Sequence, residues 1–264
     1  MKISICGKGG SGKSTVVALL AEEAQARGYQ VLVVDSDESN AGLFRLLGFA
    51  QPPQPLMDIV GGKRKIISTL RDPNPAESEG KATVLTQERI AIADIPAENM
   101  AQRDNLRLVS VGKILQALEG CACPFGVLSR EFLKRLDDKE NELVIVDTEA
   151  GVEHFGRGVE ESVDAVLIVV EPSFESLELA ARTNALATGI GVRHVWAILN
   201  KVPSDGVASK LEDELGKRSV GVVGCLHHDD EVFNSGLEGR AQTAGTASQE
   251  IAHVMDSVLS RVKG

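Results

Sequence analysis

The octapeptide Gly7-Lys8-Gly9-Gly10-Ser11-Gly12-Lys13-Ser14 constrains the fold more than any other stretch of the chain. It lies between a short apolar run at residues 2–6 and a helical pattern at residues 13–27. Glycines at this junction leave successive backbone N–H groups free to converge on one point, and the helix that follows brings its positive dipole end to the same place. The pattern is G-x-x-x-x-G-K-[ST], a cradle for a polyphosphate. The backbone of Gly7 to Gly12 would wrap the phosphates, and Lys13 would bridge the β- and γ-phosphates. The Ser14 hydroxyl would ligate Mg²⁺, and Thr15 would add a further phosphate contact.

Elsewhere, short β-branched runs alternate with helical stretches. Strands are expected at 2–6, 31–35, 106–110, 143–147, 165–171, 195–199 and 220–225, and helices at 13–27, 128–137, 174–188, 205–215 and 246–262. Such alternation predicts an α/β fold, a three-layer P-loop NTPase with a mainly parallel sheet and helices on both faces. A composition 43% hydrophobic but only 3% aromatic suits a sheet buried on both sides. Without a repeat or a Gly/Ser linker, residues 1–264 are expected to form a single P-loop ATPase domain. Residues 50–105 break the rhythm with Pro52, Pro53, Pro55, Pro73, Pro75 and Pro96 and the basic cluster Lys63-Arg64-Lys65. They are expected to be an irregular insertion, either solvated or shaping a partner surface. The stripe of Ile251, Val254, Val258 and Leu259 has the spacing of a core-facing helix.

Net charge of −10 argues against a nucleic-acid partner, which needs clustered Lys and Arg. No apolar run approaches the ~20 residues that cross a bilayer, so no membrane partner is expected. The first strand runs straight into the glycine loop, which is unlike a removable signal peptide. A cytoplasmic setting follows, in which Cys6, Cys121, Cys123 and Cys225 stay reduced.

Two strand ends deliver carboxylates to the carboxyl edge of the sheet, where open α/β folds bind ligands. One is Val31-Leu32-Val33-Val34-Asp35-Ser36-Asp37, and the other is Leu143-Val144-Ile145-Val146-Asp147. Asp147 is in the position that holds Mg²⁺ through water. Asn200-Lys201-Val202-Pro203 begins like the guanine-reading N-K-x-D motif, but Pro203 replaces its carboxylate. An Asn200 amide can still pair with an adenine edge, so ATP is favoured over GTP.

Lys8 adds a second layer. Lys8 to Ser14 resembles the deviant Walker A motif, K-G-G-x-G-K-[ST], of the MinD/ParA and nitrogenase-iron-protein group. That resemblance implies a homodimer in which Lys8 reaches the partner's phosphates. It also places Asp37 in switch I, where it would orient or deprotonate the attacking water.

Gly120-Cys121-Ala122-Cys123-Pro124 places two thiols two residues apart between turn formers. Two ligands are half of a closed tetrahedral site, so a second copy across a two-fold axis is the economical completion. Zinc, Ni(II), Cu(I) and iron–sulfur all suit soft thiolates. Directly after Asp147-Thr148, the run Glu149-Ala150-Gly151-Val152-Glu153-His154-Phe155-Gly156-Arg157-Gly158 looks like switch II of the carbon monoxide dehydrogenase accessory ATPases (CooC type). Those proteins also carry a G-C-x-C-P element upstream of the Walker B strand. The resemblance implies Glu149 and Gly151 at the nucleotide and zinc or nickel at a Cys121/Cys123 site shared by the dimer. It further implies ATP-dependent nickel insertion into carbon monoxide dehydrogenase or acetyl-CoA synthase as client. A MinD/ParA-like positioning ATPase and an iron–sulfur redox ATPase like nitrogenase iron protein are the alternatives.

Overall fold

The computed structural model describes residues 1–71, 85, 87–114, 123–242 and 246–263. In chain order its elements are β1 (Lys2–Gly7), α1 (Lys13–Ala26), β2 (Gln30–Asp35), α2 (Leu43–Leu46), α3 (Leu56–Ile59) and α4 (Gly62–Arg71). Then come β3 (Ala101–Arg103), β4 (Leu106–Ser110), α5 (Cys123–Arg135), β5 (Glu142–Asp147), α6 (Glu153–Gly156), β6 (Ala165–Val170) and α7 (Phe174–Gly189). The chain closes with β7 (His194–Val202), α8 (Asp205–Lys217), β8 (Gly221–His227), α9 (Asp230–Glu238) and α10 (Thr246–Lys263).

The eight strands among the described residues form one sheet in the order β3-β4-β2-β5-β1-β6-β7-β8, parallel except for the β3–β4 edge pair. Period-two alternation divides each central strand between two cores. Ile3, Ile5, Val31, Val33, Leu143, Ile145, Leu167 and Val169 point to one face and pack with α1 and α10 residues such as Val17, Leu20, Ile251, Val254 and Val258. Leu32, Val34, Val144 and Val146 point the other way, against Phe125, Leu128, Phe132 and Leu133 of α5. On that same face, Val166, Ile168 and Val170 pack with Leu177 and Ala180 of α7 and Leu211 and Leu215 of α8. The expected α/β class, with its mainly parallel sheet and helices on both faces, is what is observed.

All seven expected strands are present, and β3 is an eighth that three residues were too few to signal. Helix α5 begins at Cys123, five positions before the helix expected at 128. The stretch from 50 to 105, read as irregular, holds α3, α4 and β3 among its described residues. Its Leu56, Met57, Val60, Ile66, Ile90, Ile92 and Ile95 are buried in the cluster with β2, β4, β5 and α5. The prolines obscured this because Pro55 sits just ahead of α3 as its N-cap rather than breaking a helix.

Candidate functional site

The strand order sets the site. β1 lies between β5 and β6, so the loop after Gly7 emerges beside the end of β5, and β2 lies on the far side of β5. The register then pairs Asp35 with Asp147, two carboxylates side by side at one sheet edge. Two glycines shape the loop. Gly7 has φ of +147°, and a Cβ there would stand 2.5 Å from the Val169 carbonyl oxygen of β6. Gly12 has φ of +94° at the start of α1, and a Cβ there would collide with the Asn200 amide.

That amide is one of two braces under the loop. Asn200 Nδ2 donates to the Ser11 carbonyl at 2.8 Å, and Lys201 Nζ donates to the Gly10 carbonyl at 2.5 Å. One hydrogen of the amide assigned to an adenine edge is therefore directed at the loop backbone. Beside them opens a cavity of about 380 Å³ walled by Gly12, Thr15, Asn200, His228, Val232 and Phe233. Its apolar and aromatic wall offers a stacking surface for a flat base, a recognition mode that sequence motifs do not report.

Around α1, Ser14 Oγ donates to Asp147 Oδ2 at 2.7 Å and accepts from Asn40 Nδ2 at 2.6 Å. Asp147 is fully buried, and its Oδ1 has no hydrogen-bond partner among the described residues. Burial first, then the neighbouring charge of Asp35, pushes the Asp147 carboxyl up to about 7. Burial likewise pushes Asp35 up to about 6, against the pull of Lys113, whose Nζ lies 2.7 Å from Asp35 Oδ1. An orphaned buried carboxylate oxygen beside a serine hydroxyl fits a hard divalent cation such as Mg²⁺, which is held by oxygen ligands.

These shifts have a stability sign. A carboxyl whose folded value lies above its unfolded 3.8 binds extra protons in the native state. Stability is therefore lost as pH rises from about 4 to about 7. Asp147→Asn should remove that penalty and stabilise the nucleotide-free protein by about 1–3 kcal/mol near pH 7.5. The same change should flatten the pH dependence and abolish extra protection by Mg²⁺ and ATP. Urea unfolding at pH 5.5 and 7.5 measures both, and an unstabilised Asp147→Asn protein would show that the repulsion is not felt.

The switch regions close the site. Asp37 Oδ1 accepts from Ser39 N at 2.9 Å, Ser39 Oγ at 2.6 Å and Asn40 N at 3.2 Å, a local turn that orients the carboxylate. Lys113 Nζ also donates to the Asp37 carbonyl at 2.5 Å and so ties β2's end to the segment after β4. Glu149 pairs closely with Arg157, whose Nη1 is 3.9 Å from Glu38. Burial and the adjacent Glu38 carboxyl hold Glu149 well above the usual carboxylate range. Gly151 N–H donates to the Gly7 carbonyl at 3.2 Å, and Ala150 lies against Gly9.

Lys8 does not point into the loop. Its Nζ lies 3.0 Å from Glu171 Oε1 at the end of β6, and the hydrogen bond to Glu171 raises its pKa. Lys201 is 3.9 Å from the same carboxylate.

The structure thus gathers Gly7 to Thr15, Asp37, Asp147, Glu149, Gly151, Asn200 and Lys201 at one sheet edge. It adds Asn40, Lys113 and Glu171, which the motifs did not mark, and pairs Arg157 of the switch II run with Glu149. Lys113 could have been found by the strand-end rule, since it stands three residues past β4. Cys123 is exposed at the first turn of α5, and Cys121 lies outside the described residues. Among the described residues, no group of three or more His, Cys, Asp or Glu side chains is placed to hold a metal ion. Cys6, by contrast, is wholly buried in β1, where its thiol meets the Leu167 carbonyl.

Residues 3–242 match the model of the CobQ/CobB/MinD/ParA nucleotide binding domain. The chain belongs to that family. Within it, the chain is 40% identical over 258 residues to an uncharacterised ATP-binding protein of Methanocaldococcus jannaschii, covering 98% of each. It is 34% identical to the carbon monoxide dehydrogenase accessory protein CooC of Rhodospirillum rubrum, over 77% of this chain and 75% of that protein. Among solved structures, the septum site-determining protein MinD of Pyrococcus horikoshii, complexed with Mg-ADP, superposes with a TM-score of 0.70. That pair is 18% identical over 100% of this chain and 98% of the other, a likeness of fold. No described helix is long and apolar enough to cross a membrane.

Proposed function

We propose that this family member is a Mg-dependent ATPase that dimerises on binding ATP and metal and assists nickel insertion into carbon monoxide dehydrogenase or acetyl-CoA synthase. The observation that carries the reading is the coincidence, in one chain, of the assembled phosphate-loop edge with the Cys121/Cys123 element. The 34% identity to the Rhodospirillum rubrum accessory protein supports the client. Lys13 would bind the β- and γ-phosphates, and Ser14 and Asp147 would hold Mg²⁺, which would neutralise charge on the phosphate oxygens. Asp37, its Oδ1 tied into a turn, offers its other oxygen to the attacking water. Lys8, paired here with Glu171, would turn to the partner's nucleotide in the dimer. Cys121 and Cys123 of two chains would supply the thiolates for the cargo ion, nickel or zinc.

Ligand arithmetic makes the metal half testable. Cys121→Ser or Cys123→Ser each removes two of four thiolates from a shared site, so each should abolish metal-dependent dimerisation while leaving ATP binding intact. Cys225→Ser should not, because that residue lies in β8 and burial pushes its thiol up to about 11, far from the thiolate a metal needs. Light scattering with elemental analysis should find one metal per two chains. One tightly held metal per chain in a stable monomer would overturn the shared site. A visible absorption band in anaerobically purified protein would move the reading to an iron–sulfur cluster.

A further inference from the structure

Beneath switch II lies a polar cluster that the nucleotide site does not use. His154 of α6 is 2% exposed, and Glu160, in the turn at Val159–Ser162, is fully buried. His154 Nδ1 lies 2.5 Å from Glu160 Oε1, and Ser4 Oγ of β1 donates to that oxygen at 3.2 Å. The other carboxyl oxygen, Glu160 Oε2, has no hydrogen-bond partner among the described residues. A buried pair left partly unsatisfied is poor as a source of stability, since apolar side chains of similar volume often do as well or better. In some proteins such buried groups are retained because they fix one arrangement rather than for stability.

The chemistry of the second ring nitrogen says what. His154 Nε2 is 3.2 Å from the Gly151 carbonyl, which can only accept, and 3.5 Å from Thr148 Oγ1. The Thr148 hydroxyl proton is already directed to the Ile5 carbonyl at 2.9 Å. Nothing therefore offers Nε2 a proton. Facing acceptors only, Nε2 is satisfied as a donor: the ring is neutral if the proton shared with Glu160 rests on the carboxyl, and an imidazolium if it rests on Nδ1.

We infer that His154 is a positioning residue: Glu160, fixed by Ser4, holds the ring at Nδ1 so that Nε2–H is aimed at the Gly151 carbonyl and holds with it the peptide plane of switch II. The plane matters because Gly151 N–H faces the Gly7 carbonyl at the start of the phosphate loop. One residue of switch II is thus gripped from both sides, by β1 through its N–H and by the Ser4–Glu160–His154 chain through its C=O. A fixed Gly151 aligns Glu149 and Ala150 against the loop. The inference rests on the proposed ATPase reading for its kinetic consequence only, because the Nε2 proton is a property of the resting protein.

Two substitutions separate the ring nitrogens. The amide nitrogen of His154→Asn reaches the place of Nδ1, so it keeps Glu160 satisfied and lets go of Gly151. That of His154→Gln reaches the place of Nε2, and combining it with Glu160→Gln removes the stranded charge. His154→Asn should lower the kcat of ATP hydrolysis by about 10–100-fold, the size expected for a misplaced catalytic segment, with KM little changed. The double variant should recover to within about threefold of wild type. If His154→Asn turns over normally, or if both variants fall together, the Nε2 contact does not position switch II. A long-range ¹H–¹⁵N spectrum of the nucleotide-free wild-type protein tests the Nε2 proton without any hydrolysis. The His154 ring, assigned through its contact with the Phe155 ring 4.6 Å away, should carry its proton at Nε2. An unprotonated Nε2 would overturn the inference, whereas absent turnover with a protonated Nε2 would count against the ATPase reading alone.

Discussion

Lys13→Ala should abolish tight ATP binding while the fold survives. Lys13 is 7% exposed at the first position of α1, so its ammonium is held in a poorly solvated place rather than swinging in water. A buried cation that pairs with phosphate oxygens contributes far more than one on a surface, and deleting one member of such a pair costs about 2–5 kcal/mol. That corresponds to a loss of roughly 30- to several-thousand-fold in affinity. Folding should be little affected, because the hydrophobic contacts of α1 come from Val16, Val17, Leu19 and Leu20 on other turns of the helix. Isothermal titration of ATP into the purified variant measures the effect. Affinity within threefold of wild type would mean that the loop binds something other than a triphosphate.

Asp37→Ala should separate binding from chemistry. The Asp37 carboxylate accepts its hydrogen bonds from Ser39 and Asn40, so nucleotide affinity should change little. Hydrolysis should fall by about 10²–10⁴-fold, the range typical of losing a general base. The turn around Asp37 also supports Asn40, whose amide reaches Ser14, so a Ser39→Ala control is needed to show that the loss comes from the carboxylate. Single-turnover hydrolysis with saturating ATP checks it, and normal turnover in Asp37→Ala would remove that residue from the mechanism.

Much of this site was legible in the chain because its elements are local and periodic. The glycine loop, the apolar strand ending in Asp147 and the Asp35/Asp37 pair each declare themselves over fewer than ten residues, and parallel-sheet rules bring strand ends together. Contacts that depend on register were not legible. Asp35 meets Asp147 only because β2 pairs with β5, and Lys113 meets Asp35 only because β4 flanks β2. At Asn200 the motif marked a residue beside the loop, but the bond from its amide to the Ser11 carbonyl depends on how β7 packs against the loop and is not written in any short motif. The folded part of residues 50–105 was hidden by prolines, whose effect depends on whether they precede a helix or interrupt it.

The adjoining carboxylates of β2 and β5 also bear on how long the protein lasts in a cell. A chain that holds Asp35 and Asp147 side by side opens more readily when its ligands are absent than when they are present. A ligand at one hundred times its dissociation constant adds about 2.7 kcal/mol of protection. Where opening is fast compared with cleavage, the rate of proteolysis follows the open population. Molecules without nucleotide would then be cleared first, and the amount of protein would track the supply of nucleotide and Mg²⁺ with no separate sensor.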